Sequence, residues 1–323
     1  MENLIVQVVA PARLHFGMFS FAVPGVRQFG GVGVMVRQPA LRLTISSDQR
    51  LCVTGPLAER ARHFARLAWR RMQSSREPPL RIEILAAPAA HSGLGSGTQL
   101  AMAVAAGLNS FCGAAPATAE ALARRVDRGT RSAVGLHGFV HGGLIAESGK
   151  LAADEISPMV ARVQFPRRWR FVLITPRDAV GIHGHEEREA FAHLPAVPAE
   201  TTAALAREAF LRLIPAVATE RFEDASDSLY RYGHLAGTCF ASRQAGAYAS
   251  RRLRRSVEVI RSLGVSGVGQ SSWGPTLFAL LPDSATARHF VDKLSRHPEA
   301  ENTRIIITAA ANRGAKIRVR QVA

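Results

Sequence analysis

Cysteine and lysine are both scarce in this 323-residue chain, at three residues each. Cys52, Cys112 and Cys239 are too few and too scattered for a disulfide framework or a cysteine-built zinc site, and they suit a reducing cytoplasm. No run of 18 or more apolar residues occurs, which argues against a membrane-spanning helix. The start, Met1-Glu2-Asn3-Leu4, has no basic stretch leading into an apolar one, so it does not read as a secretory signal. Aromatic residues make up only 7% and form no stripe interleaved with basic ones, which argues against a nucleic-acid-binding surface. Repeats and low-complexity tracts are missing as well. With 47% hydrophobic and 20% charged residues the chain reads as globular, and its length suits about two domains.

Arginine, by contrast, is in excess. The chain carries 41 basic residues against 25 acidic ones, a net charge of +16, and only Lys150, Lys293 and Lys316 of the basic set are lysine. Guanidinium groups bind phosphate and carboxylate through two parallel hydrogen bonds, which favours anionic partners. Charge alone leaves a phosphorylated metabolite, a nucleic acid and a plain solvated basic surface open.

Hydrophobic periodicity alternates between strand and helix along the whole chain. Residues 4–9, broken by Pro11, read as a strand, as do the period-two runs 41–45 and 80–84. Residues 56–72 and 98–111 read as helices. In the second, Leu100, Ala103, Val104, Gly107, Leu108 and Phe111 share one face. Another helix is expected from about Pro116 to Arg128. Further on, 171–175 reads as a buried strand, and helices are expected near 201–214, 220–236 and 242–263. The end of the chain reads as strand 276–281, helix 285–295, strand 303–308 and a last strand at 316–321. Mixed elements in both halves predict an α+β architecture of two subdomains, 1–160 and 161–323.

Five stretches could carry chemistry. His91-Ser-Gly-Leu-Gly-Ser-Gly-Thr98 joins a strand to a helix, and its glycines would let backbone N–H groups approach an anion at the positive end of the helix dipole. It is neither a Walker A loop nor a Rossmann fingerprint, since both spacings are absent. Its plainer reading is a turn with Ser or Thr as N-cap. Gly264–Pro275 is a second glycine-rich loop carrying Gln270, Ser271 and Ser272 before a strand. In Ala10–Gly17, Arg13 and His15 share one parity and can face the same cleft. Arg131–Gly143 is again glycine-rich, with His137 and His141. Gly181–Ala190 contains His183, His185, Glu186 and Glu187, but it reads better as a helix start with acids in its first turn than as a metal site.

Three of these stretches together resemble the GHMP superfamily, named for galacto-, homoserine, mevalonate and phosphomevalonate kinases. They are Ala10–Gly17, His91–Thr98 and Gly264–Leu281, in that order along nearly the whole chain. More narrowly, Gly93–Leu100, the run Gly267-Val-Gly-Gln-Ser-Ser-Trp-Gly-Pro275, Arg13–Gly17 and Gly181–Phe191 resemble the β-ribofuranosylaminobenzene 5′-phosphate synthase family. The resemblance implies a GHMP-kinase-like fold, with an N-terminal half like ribosomal protein S5 and a C-terminal ferredoxin-like half. It implies a decarboxylating phosphoribosyltransferase that joins phosphoribosyl pyrophosphate to 4-aminobenzoate or 4-hydroxybenzoate. Carbon dioxide and pyrophosphate leave, and the step opens the branch to methanopterin-type carriers.

Magnesium is expected with pyrophosphate, and no ATP. A cytoplasmic homodimer without nucleic-acid or membrane partners is also expected. An ATP-dependent small-molecule kinase is the alternative. Against it, Arg131–Phe139 has no acid where such kinases commonly place one, and Arg13 stands where they often have lysine. The residues expected at the site are Arg13 for an anionic group and His15 for a polar or proton-transfer role. Ser92, Gly93, Leu94, Gly95, Ser96, Gly97 and Thr98 are expected around one phosphate. Gly269, Gln270, Ser271, Ser272 and Trp273 are expected for further polar and aromatic contacts.

Overall fold

The computed structural model describes residues 4–72, 77–153, 155–179, 181 and 184–321. Two sheets organise it. The seven-stranded sheet holds β1 (Leu4–Met18), β2 (Gly31–Ser47), β3 (Cys52–Thr54), β4 (Leu80–Ala86), β5 (Leu144–Glu147), β6 (Met159–Val163) and the final β11 (Lys316–Gln321). The path runs β11-β1-β2-β4-β3, and β5 and β6 continue from the other end of β2. The four-stranded sheet has the order β10-β7-β9-β8, from β7 (Arg170–Pro176), β8 (Val268–Gln270), β9 (Leu277–Leu281) and β10 (Thr303–Thr308). The chain thus returns at its end to the sheet in which it began.

Helices α1 (Ala58–Met72), α2 (Ser96–Phe111) and α4 (Val134–His141) pack on the first sheet, and α3 (Ala119–Arg125) packs on those helices. Helix α5 (Gly184–Ala192) and a long rod follow β7. The rod is α6 (Ala199–Glu208), a π-helical turn over Ala209–Leu213, and α7 (Ile214–Ala218). Pro215 has no N–H to offer, which accounts for the widened turn before it. Helices α8 (Phe222–Thr238), α9 (Arg251–Ser262) and α10 (Ser284–Leu294) complete the fold.

The second sheet is buried on both faces, which explains its unbroken apolar strands. Phe171 and Leu173 of β7, with Phe278 and Leu280 of β9, share a core with Leu14 and Phe16 of β1 and with Leu229 and Tyr232 of α8. The alternate residues Val172, Ile174, Leu277 and Ala279 pack instead against Leu253, Val257 and Ile260 of α9 and Phe290 of α10. The first face therefore joins the two sheets, and the site lies where their loops meet.

Several sequence expectations are corrected. Pro11 does not end the first strand: β1 runs through it, with a register shift against β2 between Ala10 and Ala12. Helix α2 is not one-faced, because Leu100 to Leu108 are all buried between the sheet and α1, α3 and α4. Its alanines and Gly107 permit that close packing. The helix expected from residue 242 begins only at Arg251, where the Ser250 side chain caps it by accepting from Leu253 N. Residues 239–249 instead form turns, with Gly246 at φ +77°. The acidic stretch after Gly181 does enter a helix, α5, while His183 lies outside the described residues.

Candidate functional site

The two glycine loops lock together. A side chain at Gly93 would overlap the Ser271 carbonyl, and one at Gly274 would overlap the Gly93 backbone, so both positions exclude any larger residue. Ser271 fastens the joint: His15 N donates to its Oγ at 3.1 Å, and that Oγ donates to Gly93 O at 2.7 Å. Arg13 N donates to Leu94 O at 3.0 Å, and its Nη1 donates to Gly93 O at 3.3 Å. Strand β1, the loop before α2 and the loop after β8 thus form one unit.

Helix α2 opens without a side-chain cap. Its N-cap is Gly95 at φ +71°, a left-handed conformation open to glycine, and no side chain satisfies the first N–H groups. The Ser or Thr cap of the plainer reading is therefore absent, and the first turn faces a cleft. That cleft is lined by Gly93, Gly95, Ser96, Gly97 and Thr98 on one side and by Gly129 to Ser132, Ser272 and Trp273 elsewhere. Arg13, Arg60, Arg128 and Arg131 also line it, and none of the described lining residues is Asp or Glu. Arg60 reaches over Gly97 from α1, and burial pulls its guanidinium below the usual arginine range. Arg128 stacks over Phe64 at 4.8 Å, and Arg131 over Phe191 at 4.5 Å. Four cations facing an uncapped helix start describe a polyanion site.

A second, less polar cavity adjoins the first. Phe16, Met18, Phe191, Phe240 and Trp273 line it together with Gln244 and Gln270. His15, Met18, Ser272 and Trp273 border both cavities. Trp273 holds the aromatic wall, 4.8 Å from the Phe191 ring and 4.9 Å from Phe240. The two glutamines differ. Gln270 is used up locally, accepting from Ala249 N at 2.9 Å and donating to Ser272 O at 3.0 Å. Gln244 donates through Nε2 to Gly237 O and Gly246 O, both at 3.0 Å, which leaves its Oε1 as the amide atom to meet a ligand.

His15 stands at the junction and leads inward. Its Nε2 lies 2.9 Å from Ser132 Oγ, which donates to Glu147 Oε1 at 2.6 Å. Ala133 N donates to Glu147 Oε2 at 2.6 Å. Both ends are enclosed: His15 is 2% exposed and Glu147 0%. Burial, with the Arg13 charge second, holds the imidazole well below its ordinary pKa. Burial pushes the Glu147 carboxyl up to about 7, against the opposing pull of its hydrogen bonds.

Nine expected residues border the two cavities: Arg13, His15, Gly93, Gly95, Ser96, Gly97, Thr98, Ser272 and Trp273. Gln270 lines the aromatic cavity with its amide already engaged. The other four stand behind the walls. Ser92 is buried and donates to Ala89 O at 2.8 Å. Leu94 belongs to the core, Gly269 packs against the Phe278 ring, and Ser271 is the brace described above. Sequence reasoning missed Arg60, Arg128, Ser132, Glu147, Phe240 and Gln244. Among so many arginines nothing in the sequence singles out Arg60 or Arg128, and the other four depend on chain segments far apart in sequence. Among the described residues no group of three His, Cys, Asp or Glu is placed to hold a metal ion.

Residues 60–143 match the GHMP kinases N terminal domain, and residues 208–300 match GHMP kinases C terminal. The chain is 27% identical to the beta-ribofuranosylphenol 5′-phosphate synthase of Archaeoglobus fulgidus, over 96% of this chain and 98% of that one. It is 26% identical to the protein of the same name from Methanothermobacter thermautotrophicus, over 94% and 96%. Among solved structures it is similar to homoserine kinase from Cytophaga hutchinsonii, with TM-score 0.70, 16% identity and 97% of each chain covered. Mevalonate pyrophosphate decarboxylase from Streptococcus pyogenes is also similar, with TM-score 0.70 and 12% identity over 97% of this chain and 98% of that one. These structures share the fold, while the synthases share the sequence from end to end. The chain belongs to the GHMP kinase superfamily, and its curated homologues there are named β-ribofuranosylphenol 5′-phosphate synthase, a pentosyltransferase-type enzyme.

Proposed function

We propose that this protein joins the ribosyl phosphate of phosphoribosyl pyrophosphate to 4-hydroxybenzoate or 4-aminobenzoate, releasing carbon dioxide and pyrophosphate. In that role it serves synthesis of a methanopterin-type cofactor. The observation that carries this reading is the pairing of a four-arginine cleft with an aromatic cavity across a shared His15. The polyanionic donor suits the first cavity and the aryl acid the second. Its para hydroxyl or amino group meets Gln244 Oε1, which accepts from either. Hydrogen bonding there pushes electron density toward the ring carbon that bears the carboxylate, and that carbon attacks C1 of the ribose as pyrophosphate departs. Loss of carbon dioxide restores aromaticity.

Such a reaction asks for placement, water exclusion and cations more than for a nucleophile. Magnesium would arrive with the pyrophosphate, held by substrate oxygens and water. The described lining holds no carboxylate to serve as base for an acceptor hydroxyl, which favours the synthase over the kinase alternative. We place the enzyme in the cytoplasm as a homodimer, which light scattering of the purified protein tests.

The deciding experiment incubates the protein with phosphoribosyl pyrophosphate, magnesium and each carboxyl-labelled aryl acid, without nucleotide. Labelled carbon dioxide and pyrophosphate should appear together. Product that forms only when ATP is added overturns the reading.

A further inference from the structure

We propose that Glu147 is a proton store for the departing pyrophosphate, acting through Ser132 and His15. The inference rests on the proposed function. It starts from the continuous contact of three side chains at 2.6 and 2.9 Å, running from a fully enclosed carboxyl to the wall of the arginine cleft. Both Ser132 and His15 border that cleft. Glu147 is fully buried and makes no ion pair among the described residues, and such a site is a costly place for a charge unless protonation has a use.

The chain can hold its proton in two ways. With Glu147 protonated, its O–H donates to Ser132 Oγ and the Ser132 hydroxyl donates to His15 Nε2. The imidazole then carries its own proton on Nδ1. With Glu147 ionised, Ser132 donates to the carboxylate, His15 donates through Nε2–H, and Nδ1 is bare. In both states His15 is neutral, as its burial beside Arg13 requires. One proton therefore crosses the chain without an imidazolium forming.

The reaction consumes such a proton. As the C1–O bond breaks, its electron pair stays on the pyrophosphate oxygen, and the free pyrophosphate gains charge and basicity. His15 Nδ1–H gives its proton to that group, Ser132 passes its own to Nε2, and Glu147 passes its own to Ser132. The carboxylate left behind is reprotonated from water before the next turnover. A carboxylic acid kept neutral near pH 7 by an enclosed site is suited to this duty.

Arg131, next to Ser132, also lines the cleft and stacks over Phe191 at 4.5 Å, and few other ionisable groups among the described residues stand around the chain. Arg13 and His15 lie on β1. Tyr232 of α8, whose phenol burial holds protonated, donates to Gly17 O at 2.9 Å. Lys150, just past β5, donates to Ala153 O at 2.7 Å. The three members titrate as one unit, with its alkaline limb near the Glu147 value of about 7.

The test compares wild type with Glu147→Gln, which keeps the size and both hydrogen-bonding positions but has no proton to give. In the wild type, kcat should fall as pH rises through about 7. Glu147→Gln should lower kcat by about 100-fold, the usual size of a general-acid contribution, flatten that limb and leave KM within a few-fold. Ser132→Ala breaks the chain with Glu147 in place and should give the same flattening. It keeps the question answerable if the glutamine variant does not fold. Infrared spectra of the free protein should show a protonated-carboxyl band that titrates away near the same pH and is missing from Glu147→Gln. Either variant turning over like wild type with an unchanged limb overturns the proposal alone. A wild type that releases no pyrophosphate from phosphoribosyl pyrophosphate overturns the functional reading beneath it as well.

Discussion

Arg13 is tied to the site by its own backbone, since its N–H holds the Leu94 carbonyl and its guanidinium reaches the Gly93 carbonyl. It shares the cleft with three other arginines, so its individual weight lies in geometry rather than in net charge. A guanidinium fork grips a phosphate or carboxylate at two points, whereas an ammonium keeps only the charge. Arg13→Lys should therefore keep a measurable share of activity, about a tenth, and Arg13→Met should lose about 100-fold, the worth of a charge-assisted hydrogen bond. Steady-state kinetics on both variants, with melting temperatures from the same preparations, checks this. Parallel falls in kcat and kcat/KM mean that the contact strengthens as charge moves onto pyrophosphate, and a rise in KM alone means ground-state binding.

The first turn of α2 depends on Gly95. Its φ of +71° disfavours any side chain, and a Cβ there would sit 3.3 Å from Arg13 Cβ. Gly95→Val should strain the turn by about 1–2 kcal/mol and tilt the uncapped N–H groups away from their target. The rest of α2 is held by its buried flanks, so the fold should survive with a melting point a few degrees lower. Calorimetry with phosphoribosyl pyrophosphate should show affinity weakened at least about tenfold, on protein whose circular dichroism matches wild type. Unchanged affinity would reduce the loop to a connection between strand and helix.

Stability of the entire protein should register the buried carboxyl. A free glutamate titrates near 4.5, and Glu147 near 7 in the fold, so between those values the folded state holds the proton more tightly. Stability then falls as pH rises through this window, by about 3 kcal/mol in total for a shift of this size. His15 works the other way. Its folded pKa lies below 6.5, so its contribution is present above 6.5 and is lost as pH falls. Glu147→Gln removes only the first effect. Denaturant titrations from pH 5 to pH 8 should show the variant gaining on wild type as pH rises, and a constant difference would contradict an ionisable, enclosed Glu147.

Local sequence determined most of the elements and the joint between them. The period-two runs became β4 and the C-terminal part of β2, strands 303–308 and 316–321 fell where expected, and the glycines of 91–98 and 264–275 announced two loops that need bare backbone. Such features are legible because each depends on neighbours in the chain. Tertiary structure decided the rest. It carried β1 straight through Pro11, opposite extra residues of β2, and buried α2 on every side. It also replaced the start of the helix expected at 242 with the turns that carry Gln244 to the aromatic cavity. Arg60 reached the cleft from α1, Arg128 from the loop after α3, and Glu147 met His15 across 132 residues of chain through a serine. Those meetings follow from how helices and loops stack on two sheets, and no spacing along a single strand or helix encodes them.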